Sequence, residues 1–331
     1  MIILIYFRQN ILVVTIYIIF IMNVRSDKYI NNKIEIPHPK RIVLYQLEMY
    51  PYTDYDMTRL IENQDYNRII VRAQDLDDDG KIRLLMGLIR FGKIIGFQKI
   101  FNALGYTDYS LHNSIFLRTV VFCDDEKKAC EMAKYFLEHG CDVSAMDNMC
   151  LKMAAQFLDK FDLKKLLLEY GADIHAENDY VFRLACFNGA RSIENIKFWL
   201  DHGADIHADD DYGLQITTHY CYHDTMIFLI DHGADFIKHS NYILRECLNN
   251  DIDGTALKKI FELGVDISIV RPTDVILSIC NQNIAVLSVL AEYGYNFKML
   301  NNWNNDKYDD IFKFLKEQGM DDLEIAMLLL R

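Results

Sequence analysis

A glycine recurs seven times along this chain at intervals close to 30 residues. Glu or Asp lies two positions before each glycine, and an apolar residue lies four positions before it. The glycines are Gly140, Gly171, Gly203, Gly233, Gly264, Gly294 and Gly319. Their intervals of 31, 32, 30, 31, 30 and 25 residues are too long for a coiled-coil heptad and too short for separate domains. The pattern therefore predicts stacked units that share one continuous core.

Each of these glycines is predicted to end an amphipathic helix. The residue after a helix often takes a left-handed conformation, which glycine adopts without strain. The first helix of the following unit is marked by two residues. An apolar residue lies eleven positions after each of the first five glycines, and a small residue lies fourteen positions after each of them. A small residue lets another helix pack closely. The predicted unit is a turn, a first helix, a short loop and a second helix, and the predicted fold class is an all-α solenoid.

The turn sequences identify a family. Gly-Ala-Asp stands at 171–173, 203–205 and 233–235, within the segments LLLEYGADIHAEND and FWLDHGADIHADDD. These segments resemble the second helix and finger loop of the ankyrin repeat, whose period is about 33 residues. The resemblance covers roughly residues 81–331 and looks like the divergent ankyrin arrays of giant DNA viruses of amoebae. One departure is that the Thr-Pro-Leu-His of the family is replaced by YVFRLA, YGLQIT and YILREC, so the first helices lack the usual proline.

The ankyrin resemblance implies a protein–protein interaction scaffold without catalysis, in which partners bind the finger loops and the concave face of the first helices. The corresponding finger stretches are residues 175–180, 207–212 and 237–242, which we expect to be exposed. The candidate binding residues in them are Glu177, Asp179, Asp209, Asp210, Asp211 and His239. We predict an acidic edge that binds a basic segment of a partner protein. The alternative is that these residues are merely solvated loop tips.

A second hypothesis within the ankyrin resemblance concerns the C-terminal tail. Some viral ankyrin proteins recruit host ubiquitin ligases through terminal helices, and the tail DDIFKFLKEQGMDDLEIAMLLLR is helical and apolar enough for such a role. Its FLKEQGMD segment keeps the repeat register, however, which favours a last repeat or a cap. We therefore predict an array of about seven to eight units with a degenerate C-terminal cap.

Three regions are predicted along the chain: an apolar segment at 1–24, a segment without repeats at 25–80 and the repeat array at 81–331. The uninterrupted apolar run at 11–22 is shorter than the roughly 20 residues of a membrane-spanning helix. Three interpretations of residues 1–24 stay open: a membrane anchor with cytosolic repeats, a start codon placed too early with Met22 as the true first residue, and a signal peptide. The expected location is the host cytoplasm, with or without an anchor.

Composition and sequence motifs exclude several classes of function. A net charge of −13 argues against nucleic-acid binding, which depends on neutralising phosphates, and suits a basic protein partner. The eight cysteines form no CxxC pair, which indicates small core residues in a reducing compartment. No phosphate-binding loop, dinucleotide fingerprint, zinc-protease motif or nucleophile elbow occurs. We therefore predict a monomeric protein that is not an enzyme and has no cofactor or metal site.

Several residues could suggest a metal site or a catalytic site but have a structural explanation. Asp75, Asp77 and Asp79 imitate half of a calcium loop, but Met86 replaces its final Glu, so a helix-capping turn is predicted instead. His139, His202 and His232 each precede a turn glycine, which predicts a structural role at helix ends. Glu246 lies where the other units carry an apolar residue. Since a lone buried carboxylate is costly, its helix is expected to rotate or to start elsewhere.

Overall fold

The computed structural model describes residues 55–188, 193–280, 283–297 and 317. All regular elements in those residues are helices. They are α1 (Tyr55–Glu62), α2 (Tyr66–Ala73), α3 (Asp78–Arg90), α4 (Ile94–Ala103), α5 (Leu111–Thr119), α6 (Glu126–Glu138), α7 (Ala145–Ala155), α8 (Phe161–Glu169), α9 (Ala176–Phe187), α10 (Ile193–Asp201), α11 (Ala208–His219), α12 (His223–Asp231), α13 (Phe236–Asn250), α14 (Thr255–Glu262), α15 (Pro272–Cys280) and α16 (Ile284–Glu292). Short 3₁₀ helices lie at Val120–Phe122 and Ile267–Ile269.

The helices form repeats in two layers. Each pair from α3/α4 to α15/α16 is one repeat, whose second helix ends at or just before a turn glycine. The first helices α3, α5, α7, α9, α11, α13 and α15 pack successively against one another. Second helices also pack against second helices, as α6 does on α8 and α12 on α14. The predicted solenoid of helix–turn–helix units is confirmed.

The turn glycines have the predicted backbone conformation. φ lies between +85° and +103° at all six turn glycines from Gly140 to Gly294, whereas Gly319 lies outside the described residues. At Gly203 the next N–H, that of Ala204, donates to the carbonyl of Trp199 at 3.0 Å. That hydrogen bond closes the last helical turn in the manner of a Schellman motif. The fully buried Trp199 side chain stands at the recurring apolar position.

The two predicted core positions of the first helix are buried throughout. The apolar position comprises Leu151, Phe182, Leu214, Leu244 and Val275, and the small position comprises Ala154, Ala185, Thr217, Cys247 and Ser278; all ten are buried. Buried hydroxyls at the small position need acceptors, and the Thr217 hydroxyl donates to the carbonyl of Gly213 at 2.9 Å. A small side chain at this position therefore keeps neighbouring first helices close without an unpaired polar group.

The helix that carries Glu246 starts closer to its turn glycine than the equivalent helices α7, α9 and α11 do. α13 begins at Phe236, and Asp235 accepts a hydrogen bond from the N–H of Lys238 as its N-cap. The helix starts elsewhere, as predicted, but it is not rotated, because Leu244 and Cys247 stay buried. Glu246 is half-buried, and this burial raises the pKa of its carboxyl. It is not a lone carboxylate, because the Asn250 amide donates to it at 3.2 Å.

The N-terminal side of the array is covered by two further helices, since α1 and α2 pack against α3 and α4. The acidic turn before α3 is an N-cap, as predicted, in which Asp77 accepts from the N–H of Gly80 at 2.7 Å. The predicted boundaries at 24/25 and 80/81 stay predictions. Residues 1–24 lie outside the described residues, as does the tail after residue 297 apart from residue 317. Among the helices that are described, none is long and apolar enough to cross a membrane.

Candidate functional site

Four repeats begin their first helix with a left-handed turn of three residues. The turns are 112–114 in α5, 146–148 in α7, 177–179 in α9 and 209–211 in α11, with φ between +49° and +62°. Left-handed conformations cost L-residues about 1 to 2 kcal/mol each, and the short polar side chains of Asn and Asp tolerate them best. The sequences of the last two turns, Glu-Asn-Asp and Asp-Asp-Asp, are therefore suited to this backbone. This turn takes the place of the proline that usually begins the helix.

The third residue of each left-handed turn joins its repeat to the next one. Its buried side chain accepts a hydrogen bond from a backbone N–H two residues after the following turn glycine. The pairs are Ser114 with Asp142 (2.9 Å), Asn148 with Asp173 (2.8 Å), Asp179 with Asp205 (2.8 Å) and Asp211 with Asp235 (2.9 Å). The expectation that Asp179 and Asp211 are exposed is therefore wrong, since they are only 5% and 3% exposed. Their carboxylates hold neighbouring repeats together.

Histidines accompany these two buried carboxylates. His175 Nδ1 lies 3.1 Å from Asp179 Oδ1, and His207 Nδ1 lies 2.9 Å from Asp211 Oδ1. Each imidazole therefore hydrogen-bonds within its own turn. His239, predicted to be an exposed binding residue, is also placed differently: its side chain is 13% exposed, and its Nε2 lies 3.9 Å from Asp211 Oδ2. The ring of His239 faces the buried carboxylate of the preceding repeat instead of solvent.

Basic side chains form hydrogen bonds that hold the left-handed turns in place. Arg183 is buried, donates to the carbonyls of Glu177 (2.8 Å) and Asn178 (2.9 Å), and pairs with Asp209 of the next repeat at 2.7 Å. Its guanidinium also stacks 5.3 Å from the centroid of the Tyr212 ring. One side chain thereby satisfies two carbonyls of a strained turn and reaches the following turn. Such charge-assisted hydrogen bonds are among the stronger ones in proteins.

The remaining predicted binding residues are Glu177, Asp209 and Asp210, and each of them forms an ion pair with a basic side chain of a neighbouring repeat. Lys152 pairs with Glu177 at 2.6 Å, and Lys238 pairs with Asp210. The Glu177, Asp209 and Asp210 side chains are 53%, 46% and 61% exposed, respectively, so each carboxylate is shared between an ion pair and solvent. Their partner-binding role stays a prediction. Arg118 likewise donates to the carbonyl of His112 at 3.0 Å. These basic residues leave a signal in the sequence, because Arg118, Lys152 and Arg183 recur at intervals of 34 and 31 residues.

Comparison with known proteins identifies relatives of this chain. No protein-family model matches the chain. Three proteins of Acanthamoeba polyphaga mimivirus do: ankyrin repeat protein R602 is 36% identical over 62 residues, R598 is 26% identical over 176 and R599 is 23% identical over 270. These alignments cover 19%, 52% and 74% of this chain and 20%, 55% and 68% of the relatives. The chain thus spans only a fifth and about half of the first two relatives.

The chain is similar to viral ankyrin repeat proteins. Together with the glycine-terminated helix pairs and their two layers, this similarity makes the array an ankyrin-type solenoid. Recognition of that resemblance from the turn sequences is confirmed. Ankyrin relatives indicate a role in protein interaction.

In this ankyrin-type array, the histidines before the turn glycines complete the helix ends. His202 Nδ1 lies 2.7 Å from the carbonyl of Phe198, so that nitrogen carries the proton and donates it. The same contact at 2.7 Å is made by His139 to Tyr135 and by His232 to Phe228. Each imidazole also packs on the aromatic ring four residues earlier, at centroid distances of 3.9 to 4.1 Å. These histidines serve the helix ends, as the sequence predicts.

Most of the described cysteines in the ankyrin-type array are core residues. All seven cysteines among the described residues whose side chains are placed are free thiols, and five of them are buried. Burial raises the pKa of Cys150 to about 12 and that of Cys141 to about 11, so these thiols stay protonated at neutral pH. A thiol acts as a nucleophile or metal ligand only as the thiolate. In the described part of the chain, no three His, Cys, Asp or Glu side chains are grouped to bind a metal ion.

Proposed function

We propose that this chain is a protein-interaction scaffold without catalytic activity, which binds a partner protein through the edge formed by its left-handed turns. The partner carries a basic segment that contacts the half-exposed carboxylates of Glu177, Asp209 and Asp210. The net charge of −13 supports this choice, because it attracts basic partners over distance. We further propose that the scaffold works as a monomer in the host cytosol.

The repetition of one turn conformation carries this proposal. Four successive repeats present the same left-handed turn, and side chains of adjacent repeats hold it in place. A surface that is already ordered loses little conformational entropy when a partner binds. A regular row of such turns therefore suits recognition of an extended protein segment.

The proposal predicts a salt-dependent protein partner. Tagged full-length chain is used to isolate binding proteins from Acanthamoeba polyphaga lysate, and the affinity of each isolated protein is then measured from about 50 to about 300 mM salt. The variant Glu177→Gln/Asp210→Asn removes two charges but keeps hydrogen-bonding groups. We expect it to weaken binding by about three- to tenfold, since exposed ion pairs contribute at most about 1 kcal/mol each.

The control variant is Glu194→Gln/Asp224→Asn, which removes two exposed charges from the second helices α10 and α12. It should leave the affinity unchanged. If no protein binds the full chain specifically, the scaffold proposal is wrong. If a partner binds both variants and the wild type equally at all salt concentrations, the basic segment is wrong.

A further inference from the structure

An apolar pocket lies where the start of α13 meets the end of α14 and the residues that follow Gly264. It is an open cavity of about 280 Å³, and its apolar lining residues are Phe236, Ile237, Leu263, Val265 and Ile269. Pockets that bind drug-sized molecules typically measure about 300 to 1,000 Å³. The volume here suits one or two side chains of a peptide better than a separate small molecule.

The pocket collects apolar side chains that solvent reaches. Ile237 is 82% exposed, Leu263 is 41% exposed and Ile269 is 39% exposed. Val71, Ile95 and Ile252 are also exposed, but none of them lines this pocket. Single exposed apolar residues are common on protein surfaces, whereas a cluster around a cavity is typical of a binding site.

The equivalent positions in earlier repeats do not carry these apolar side chains. In the repeats with turn glycines Gly140, Gly171 and Gly203, the position of Leu263 holds His139, Tyr170 and His202; that of Ile237 holds Ser144, His175 and His207; and that of Ile269 holds Ala145, Ala176 and Ala208. The earlier repeats therefore fold with smaller or more polar side chains at all three positions. The apolar side chains are therefore not part of the repeat pattern, and they coincide around one cavity.

Charges around the pocket identify the chemistry of its occupant. Asp266 is the charged lining residue, and the exposed carboxylates of Asp235 and Glu262 adjoin the lining residues Phe236 and Leu263 in sequence. No ion pair joins these three carboxylates to a cation within the described ranges 55–188, 193–280 and 283–297. The nearby lysines are engaged elsewhere: Lys238 with Asp210, Lys258 with Glu292 and Lys259 with Asp231. An apolar pocket lined by an aspartate complements an apolar side chain with a basic neighbour.

We infer that this pocket binds a segment of a partner protein that places a leucine-, isoleucine- or phenylalanine-sized side chain in the cavity and a lysine or arginine beside it. The apolar side chain packs on Phe236, Ile237, Leu263 and Ile269, and the basic group lies against Asp266 or its acidic neighbours. This inference rests on the proposed function, because it assigns the partner's anchoring residue to one place on the array.

The test begins with a phage-displayed library of random twelve-residue peptides selected on the full-length chain. Recovered peptides are synthesised, and their affinities are measured by fluorescence anisotropy. We expect them to share an apolar residue with Lys or Arg next to it. The variant Ile237→Ser/Leu263→His, which carries residues of the earlier repeats, should weaken binding at least tenfold, since burial of one such side chain corresponds to about that factor or more.

The control variant Ile95→Ser/Ile252→Ser removes two exposed apolar residues elsewhere and should change the affinity less than about twofold. All substitutions are at exposed positions, so equal unfolding midpoints will show that each variant is folded. Three results would overturn the inference: no peptide is recovered, the peptides are acidic, or they bind the pocket variant as well as the wild type. A wild-type dimer in sedimentation that the pocket variant abolishes would also overturn it, because a second copy would be the occupant.

The pocket inference and the scaffold proposal can fail independently of each other. If the lysate partner binds the pocket variant as tightly as the wild type, the pocket inference fails while the scaffold stands. If the selected peptides bind the pocket but the full chain isolates no lysate protein, the pocket exists without the proposed cellular function.

Discussion

Asp211→Leu is expected to lower the free energy of unfolding by about 2 to 4 kcal/mol. The Asp211 carboxylate is buried and accepts from the N–H of Asp235 at 2.9 Å, while His207 Nδ1 lies 2.9 Å away. Leucine removes the acceptor, leaves a partly buried N–H without its partner and places a larger side chain at a φ of +56°. Urea unfolding followed by circular dichroism measures the change.

Two asparagine variants serve as controls for Asp211→Leu. Asp211→Asn keeps an acceptor and a side chain that tolerates the left-handed conformation, and Asn148 already occupies the same place two repeats earlier. Asp210→Asn lies in the same left-handed turn but affects only an exposed ion pair. Both should cost less than about 1 kcal/mol. Equal stabilities of Asp211→Leu and Asp211→Asn would show that Asp211 does not join the repeats.

Lys164→Met is expected to stabilise the protein by about 1 to 2 kcal/mol at pH 7 and to lose that advantage by about pH 10. The Lys164 side chain is fully buried in α8, where its Nζ donates to Asn195 Oδ1 at 2.7 Å and lies 4.7 Å from the centroid of the Phe161 ring. Burial lowers the pKa of Lys164 to about 8. Below pH 8 the folded protein must hold an ammonium group out of water, at a cost of about 3 kcal/mol relative to the neutral amine.

The direction of this pH dependence follows from proton binding. Between pH 8 and about 10.5 the unfolded chain keeps the Lys164 proton while the folded protein releases it, so stability rises with pH through that window. Methionine has no such dependence. The difference between the two proteins should therefore shift by about 2 to 3 kcal/mol from pH 7 to pH 10. Other titrating groups affect both proteins equally and cancel.

The adjacent lysine provides a matched control. Lys165 is exposed and lies 3.9 Å from Glu169 in the next helical turn. Lys165→Met removes an exposed cation and should give only a small stability change. A Lys164→Met difference that stays constant from pH 7 to pH 10 would contradict the buried placement of the ammonium group.

The repeat architecture could be predicted because it depends on strong local constraints. A left-handed helix end selects glycine, as at Gly203, and a close contact between first helices selects a small residue, as at Ala154. These constraints act in every unit, so they recur at a fixed spacing in the sequence. For the helix of Glu246 the sequence predicts part of the outcome, because the helix starts elsewhere, at Phe236, but is not rotated.

The left-handed turns could not be predicted from the same reasoning. Acidic residues in a loop are most often exposed, and the sequence alone does not show that Asp179 accepts a hydrogen bond from the next repeat 26 positions away. Three successive left-handed residues are also rare because of their strain. The recurrence of Arg118, Lys152 and Arg183 was visible in the sequence, but its meaning depends on knowing which carbonyls and carboxylates those side chains reach.

The claim that the acidic turn residues join neighbouring repeats is tested most directly by a double-mutant cycle between Arg183 and Asp209. Unfolding free energies are measured for the wild type, Arg183→Met, Asp209→Asn and the double variant. The buried guanidinium and the 2.7 Å contact predict a coupling energy of about 1 to 3 kcal/mol. Effects that add within about 0.5 kcal/mol would contradict the claim.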